Sequence, residues 1–225
     1  MNHEHAGLHI QIYSDVVCPW CYVGMKRLEA ALALLDRPSD LTVTWRPFEL
    51  NPTMPPPGMD RKTYLEAKFG SAEAVDAMLD HVRQAGRESG IAFAFDRIPK
   101  SPNTFEAHRL IWLAGRAGRQ GAMVERLFRG YFEEGADLTQ QPTLARLATD
   151  AGIAPETARA WLGSEEGAQE VRSEERAGLE LGIRAVPYFY MEGRRGLSGA
   201  HPPPVIADWL RQSLRESAHS SAHAG

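Results

Sequence analysis

The sequence predicts an α/β fold in which a small β-sheet is interrupted by a large all-helical insertion. Three observations support this prediction. Residues 9–17 and 41–50 are rich in β-branched and aromatic residues, and a helical pattern separates them. Residues 60–181 show helical periodicity almost throughout. After Gly182 the pattern returns to that of β-strands.

The first strand leads directly into a helix. Ile10 and Ile12 alternate with polar residues, which predicts a strand that runs to about Ser14. From Pro19 to Leu35, apolar residues recur at helical spacing. A proline suits the first turn of this helix because its missing N–H would have no partner there.

The second strand, at 41–50, ends in the loop NPTMPPPG, which is dense in turn-forming and helix-breaking residues. Within the insertion, Asn103 or Thr104 can cap a helix. Further helices are predicted at 142–151, 155–162 and 164–181.

The segment IRAVPYFYMEG, after the insertion, predicts a strand that opens with Pro187. RRGLSGA can form its hairpin partner, and a final helix is expected over 204–214. We therefore divide the chain into a first sheet-containing part at 1–58, the helical insertion at 59–182 and a second sheet-containing part at 183–225, which ends in a disordered tail.

Composition and charge argue against several functional classes. With 225 residues, 43% of them apolar, the chain can bury a core without disulfides or metal ions as staples. Its 25 basic and 29 acidic residues form no long block of one sign, so nucleic acid is not an expected partner. The N-terminal residues lack a basic segment, and no apolar run reaches the roughly 20 residues that span a bilayer. We expect a soluble, cytoplasmic protein without membrane contact.

The chain has two cysteines, Cys18 and Cys21, at the predicted start of the first helix. Unpaired N–H groups give a helix N-terminus a partial positive charge, so Cys18 should ionise more readily than a free thiol and act as the nucleophile. Cys21 lies one turn later on the same face and can attack the mixed disulfide that Cys18 forms. The spacer Trp20 offers the thiolate no cation, so we expect a less oxidising pair than one with a histidine spacer.

These motifs have alternative interpretations. The cysteines could be two small buried hydrophobic residues or half of a zinc site. Zinc would need two further ligands, and the histidines of the structured part offer none at ligand spacing, so no metal is expected. Pro187 fits either an edge strand or a cis Val186–Pro187 bond that turns the backbone of Val186 toward an extended substrate.

The order of these elements is that of a thioredoxin-like fold split by a helical insertion. Four separated runs resemble the FrnE-like branch of the DsbA-type thioredoxin-fold proteins: SDVVCPWCYVG, WRPFELNPTMPPPGMD, DRIPKSPNTFEAHRL, and LGIRAVPYFY followed by SGA. The resemblance extends from about His9 to Leu214. It implies dithiol–disulfide redox or isomerase activity, no organic cofactor, and in many cases a pairing of subunits.

The resemblance also implies roles for individual residues. Cys18 would be the attacking thiol, Cys21 the resolving thiol and Pro187 the cis-proline beside them. The residues expected at the substrate cleft are Trp20, Val186, Asn51, Asn103, Thr104 and His108. For Asn103 and Thr104 the alternative is helix capping, and for His108 it is a buried, hydrogen-bonded helix residue.

The leading functional hypothesis is a thiol–disulfide oxidoreductase or isomerase that acts on a disulfide- or thiol-bearing protein or small molecule. Since we expect no signal peptide, we also expect reducing surroundings, which would favour reduction or isomerisation over bulk disulfide formation. A homodimer is consistent with the apolar faces of the insertion.

Two other hypotheses belong to different classes. Kappa-class glutathione transferases and 2-hydroxychromene-2-carboxylate isomerases resemble this chain in strand order, but typically have serine where it has Cys18. The second hypothesis is therefore a glutathione-dependent isomerase or transferase acting on an aromatic or polyketide-like molecule, with glutathione as co-substrate. The third is a redox sensor or binding module that uses the disulfide as a switch.

Overall fold

The computed structural model describes residues 8–35 and 41–222, and within them the chain forms six strands and nine α-helices. The strands are β1 (Leu8–Ser14), β2 (Leu41–Pro47), β3 (Met59–Asp60), β4 (Lys100–Ser101), β5 (Tyr188–Tyr190) and β6 (Leu197–Ser198). The helices are α1 (Pro19–Ala33), α2 (Arg61–Phe69), α3 (Ala72–Glu88), α4 (Phe105–Arg116), α5 (Gln120–Phe132), α6 (Gln141–Asp150), α7 (Pro155–Leu162), α8 (Ala168–Glu180) and α9 (Pro203–Ala222).

The main sheet has four strands in the order β2-β1-β5-β6. β1 pairs parallel with β2 and antiparallel with β5, so that Ile12 lies opposite Trp45 on one side and Phe189 on the other. Helices α2 to α8 all come between β2 and β5 in the chain. This arrangement confirms the predicted thioredoxin-like α/β fold with a large insertion. The expectation that the insertion is all-helical is wrong in one respect, because β3 and β4 pair antiparallel within it as a second, two-stranded sheet. Because β5 is an inner strand, the edge-strand interpretation of Pro187 is wrong.

One hydrophobic core joins the sheet to the insertion. The ring of Tyr22 on α1 stacks on Phe128 of α5 at a centroid distance of 5.1 Å. Phe132, also on α5, packs edge-on against Phe93 at 5.4 Å. Aromatic pairs of this kind contribute about 0.5–1.5 kcal/mol each beyond their buried area. They fix the first turns of α1, and with them the cysteine motif, against the insertion.

The outer edge of β2 is paired with a side chain. The backbone N–H of Trp45 donates to the side-chain oxygen of Gln120 at 2.9 Å, and the Gln120 amide donates back to the Trp45 carbonyl at 3.1 Å. The primary amide thus makes the two hydrogen bonds that a residue of a neighbouring strand would make.

Two details differ from the sequence-based expectations. The last helix continues to Ala222 rather than ending near Leu214, so the disordered tail is wrong for the residues up to Ala222. No glycine or proline interrupts this stretch, and extending an existing helix fixes only one residue per added hydrogen bond. Residues 1–7 and 223–225 lie outside the described residues. Helix α8 begins at Ala168 rather than at 164, because the preceding Gly167 is left-handed, with φ of 76°.

No helix in the described ranges is long and apolar enough to cross a bilayer.

Candidate active site

Cys18 occupies the junction between β1 and α1. Its backbone is extended (φ −90°, ψ 109°), and Pro19 is the first helical residue, as predicted. The N–H of Cys18 donates to the carbonyl of Asp15 at 3.0 Å, and its own carbonyl accepts from the N–H of Cys21 at 3.0 Å. The Cys18 side chain therefore lies at the N-terminal end of the helix, where the partial positive charge favours an anion.

Both cysteines are free thiols, but they differ in their environment. Cys18 is 5% exposed and borders a cleft, whereas Cys21 is completely buried. Burial raises the pKa of Cys21 well above its ordinary value, and the neighbouring Cys18 raises it further. The Ser14 side chain and the Asp15 backbone act in the opposite direction without cancelling this effect. Cys21 consequently holds its proton at neutral pH.

The peptide bond between Val186 and Pro187 is cis, which confirms that sequence-based expectation. The Cys18 thiol is 3.7 Å from the Val186 carbonyl oxygen and donates to it. Helix α1 approaches this proline closely, because a Cβ built on Gly24 would lie 3.0 Å from the Pro187 ring. The two segments, 168 residues apart in the chain, therefore meet at Cys18.

A cleft of about 310 Å³ opens beside Cys18, between the cysteine motif and the insertion. Most of its lining is apolar: Val17, Pro19, Trp20, Leu50, Met54, Leu65, Phe69, Met78, Leu79, Pro102, Phe132 and Val186. The remaining lining residues are Asp15, Cys18, Asn51, Arg61, Tyr64, Lys68, Ser101, Thr104 and Tyr131. Of the residues expected at a substrate cleft, the structure thus brings Trp20, Asn51, Thr104 and Val186 together with Cys18.

Asn103 and His108 lie elsewhere. The Asn103 amide donates to the carbonyl of Met54 at 2.7 Å, and its oxygen accepts from the N–H of Phe105 at 3.0 Å. Asn103 therefore joins the Pro-rich loop to the start of α4, as a capping residue would. His108 is 3% exposed and lies behind the cleft rather than in its wall.

Asp15 connects His108 to the cleft. Asp15 Oδ2 accepts from the N–H of Leu50 at 2.7 Å, and Oδ1 is 3.5 Å from His108 Nε2. The partly buried residues Glu49 and Glu175 add two further carboxyl groups near this pair. Within the described part of the chain, Asp15 Oδ1, Glu49 Oε1, His108 Nε2 and Glu175 Oε1 have no hydrogen-bond partner.

The protonation of this group is shifted by burial and charge. For His108, burial is the largest influence and lowers the pKa, but Asp15, Glu175 and Glu49 together outweigh it and the pKa is raised. For Glu49, burial and the nearby carboxylates raise the pKa to about 7, although His108 acts against them. Glu49 is therefore a carboxyl group that takes up and releases its proton near neutral pH.

Replacing Glu49 with glutamine should change how stability depends on pH. Between about pH 4.5 and 7 the folded protein keeps the Glu49 proton while the unfolded chain releases it, so the folded state loses stability as pH rises through this window. Glu49→Gln removes that loss. Its melting temperature should match the wild type near pH 4.5 and exceed it increasingly up to pH 7.

Thermal unfolding measured from pH 4.5 to 8.5 would check this, with Glu156→Gln as a control. Glu156 is exposed in the first turn of α7, so it reports the loss of one surface charge. A melting-temperature difference that is constant with pH for Glu49→Gln would contradict the prediction.

Sequence reasoning missed Asp15, Arg61 and Tyr131, which all line the cleft. Asp15 could have been found from the sequence, since it is an acidic residue between Ser14 and two valines, three residues before Cys18. Arg61 and Tyr131 had none, because each stands in an ordinary amphipathic helix and only the tertiary fold brings them to the motif.

Among the described residues, no further side chains join the two cysteines to form a metal site. No group of three or more His, Cys, Asp or Glu side chains there is arranged to hold a metal ion. His3 and His5, in the N-terminal tail, lie outside the described ranges.

Comparison with known proteins identifies the family. The model of the DSBA-like thioredoxin domain family matches residues 9–211, which is most of the chain. The chain belongs to this family. Membership confirms the DsbA-type resemblance inferred from the four sequence runs.

Solved structures agree with the DsbA-like fold. A probable DsbA oxidoreductase of Streptomyces coelicolor is 34% identical, with a TM-score of 0.85 over 94% of this chain and 90% of that one. The cytosolic disulfide reductase DsbM of Pseudomonas aeruginosa, solved with GSH, is 20% identical, with a TM-score of 0.64 over 92% of this chain and 100% of that one. A 2-hydroxychromene-2-carboxylate isomerase is 15% identical, with a TM-score of 0.69 over 97% of this chain and 100% of that one. The last two likenesses show the fold alone.

Proposed function

We propose that this DsbA-like protein is a thiol–disulfide oxidoreductase whose redox pair is Cys18 and Cys21. The observation that most supports this is the position of the two thiols. Cys18 borders a cleft at the N-terminus of α1, and Cys21 lies fully buried one turn behind it. One thiol is thus accessible for attack on a substrate, and the other is kept for the second step.

The first step is attack by the Cys18 thiolate on one sulfur of a substrate disulfide. A bond forms between Cys18 Sγ and that sulfur, the substrate S–S bond breaks, and the other half of the substrate leaves as a thiolate. The Val186 carbonyl and the apolar walls of the cleft would hold the substrate beside Cys18.

The second step is attack by Cys21 on Cys18 Sγ. The Cys18–Cys21 disulfide forms, and the second substrate half leaves with the proton that Cys21 gives up. Two electrons have then passed from the protein to the substrate. The raised pKa of Cys21 keeps it protonated until the mixed disulfide is in place, so we expect this step to accelerate as pH rises.

The direction of exchange depends on potential and compartment rather than on the fold. We propose that the protein works in the cytoplasm as a reductase or isomerase, with a low-molecular-weight thiol such as glutathione returning the disulfide to the dithiol. The description of one structural neighbour as a cytosolic disulfide reductase, solved with GSH, supports this choice.

A redox titration tests the proposal. The purified protein is equilibrated in glutathione buffers of defined potential, and the Cys18–Cys21 disulfide is quantified by thiol alkylation and mass spectrometry, with Cys18→Ser as the control. We expect a reversible two-electron transition between about −270 and −120 mV, the range from thioredoxin to DsbA. If the two cysteines stay reduced at every potential, the proposal that they form a redox pair is refuted.

A further inference from the structure

Arg61 is a partly buried cation in the wall of the cleft that holds Cys18. It is the first residue of α2, and its backbone N–H donates to the carbonyl of Pro99 at 3.0 Å. Its guanidinium lies over the ring of Phe95, 5.2 Å from the centroid. The backbone of Arg61 is therefore anchored at the start of α2, and its head group is positioned by the Phe95 ring and the Tyr131 phenol.

In the part of the chain that the structure describes, no carboxylate lies within ion-pair distance of the Arg61 guanidinium, although Asp96 acts on its charge from farther away. Arg83 lies over the same Phe95 ring at 5.4 Å, but it pairs with Asp80 at 2.9 Å and with Asp96 at 3.4 Å. Arg61 forms no ion pair with any residue of the described ranges.

The local energetics of Arg61 favour an added anion. Burial is the largest influence on Arg61 and lowers its pKa, and the nearby charge of Arg83 acts in the same direction. The phenol of Tyr131 and, less strongly, the carboxylate of Asp96 compensate only in part. A guanidinium that has lost water without gaining a carboxylate at ion-pair distance is stabilised when an anion arrives, and its planar fork matches a carboxylate with two parallel hydrogen bonds.

The other charges of the cleft do not neutralise Arg61. Lys68, on the same helix, also lines the cleft and lies over the rings of Tyr64 and Phe69. Asp15 is the acid among the lining residues, but its carboxylate already faces His108 and the N–H of Leu50. The α2 side of the cleft is therefore positive and uncompensated.

We propose that Arg61 binds a carboxylate of the substrate, and that the cleft selects small disulfides that carry a carboxylate. This inference rests on the proposed function, because it names the substrate class of the same cleft. The cleft volume of about 310 Å³ suits a small molecule. With its carboxylate on Arg61, such a substrate would present its disulfide to Cys18 in a fixed orientation.

Three disulfides with the same two-carbon arms test the inference. They are 3,3′-dithiodipropionate with two carboxylates, bis(2-hydroxyethyl) disulfide with no charge, and cystamine with two ammonium groups. The reduced full-length protein is mixed with each, and oxidation of the Cys18–Cys21 pair is followed by quenched alkylation. The variants are Arg61→Gln, Arg61→Lys and, as a matched control on the same aromatic ring, Arg83→Gln.

Arg61→Gln should lower the rate with the dianion about tenfold and change the rate with the neutral disulfide less than twofold. Arg61→Lys should retain part of the preference for the dianionic over the neutral disulfide. Arg83→Gln should behave as the wild type. The neutral disulfide shows in each variant that the site is folded.

Two outcomes would overturn the inference: a wild type that prefers cystamine, or an Arg61→Gln variant whose dianion-to-neutral ratio equals that of the wild type. A wild type that reacts with none of the three disulfides would instead refute the proposed function itself.

Discussion

Cys18→Ser should abolish disulfide exchange, lowering the rate on the order of a thousandfold or more. The serine hydroxyl is not ionised near neutral pH, so it cannot attack a disulfide. Cys21 cannot replace it, because it is completely buried and its pKa is raised. The rate of reduction of a chromogenic disulfide by the full-length chain measures the effect.

Cys21→Ser is the matched control, because it leaves the first step intact and removes the second. It should accumulate a mixed disulfide on Cys18, seen as the added mass of one substrate half in the intact protein. If Cys18→Ser kept most of the activity toward an aromatic substrate in the presence of glutathione, the glutathione-dependent isomerase or transferase hypothesis would replace the oxidoreductase.

Arg109→Ala should lower the free energy of unfolding by about 3–5 kcal/mol, although this residue is remote from the chemistry. Arg109 is 2% exposed. Its guanidinium donates to the carbonyls of Trp161, Ser164 and Glu166, at 2.7–3.0 Å, and to the carboxylate of Glu106 at 2.6 Å. The Trp161 carbonyl still accepts from the N–H and the hydroxyl of Ser164. The partly buried carbonyls of Ser164 and Glu166 lose the donor that Arg109 supplies, and leaving a buried acceptor unsatisfied costs about 1–3 kcal/mol.

Chemical denaturation of Arg109→Ala and the wild type measures this loss. Arg146→Ala is the control, since Arg146 has a 54% exposed side chain and pairs with Asp150 on the same helix. Exposed pairs of this kind contribute about 0–1 kcal/mol. Equal losses in the two variants would show that the buried hydrogen bonds of Arg109 do not stabilise the α7–α8 connection.

The elements with strong local patterns were predictable from the sequence. Pro19 and the apolar spacing behind it give the start of α1, and the β-branched run at 41–50 gives β2. The two-residue strands β3 and β4 were not predictable, because a ladder that short shows no period. The extent of α9 was underestimated because polar composition alone does not distinguish an exposed helix from a disordered tail.

The candidate site was predictable as far as chemistry and chain order determine it. The Cys-x-x-Cys pair and the proline before β5 have local signatures, so Cys18, Cys21 and Pro187 could be named. The position of His108 behind Asp15 could not be predicted from the sequence, because it depends on how α4 packs against the end of β1. The absence of an ion pair at Arg61 within the described ranges is likewise a property of the folded chain.

Gln120 also bears on how copies of this chain can assemble. An open outer strand is a template on which a second molecule can extend the sheet or start a fibre. On β2 the side-chain amide of Gln120 already hydrogen-bonds both the N–H and the carbonyl of Trp45. The outer strand on the opposite side, β6, is only two residues long. Neither border of the sheet offers an incoming strand a continuous row of free donors and acceptors. If two subunits pair, they should meet through helical surfaces and not through a sheet shared between them.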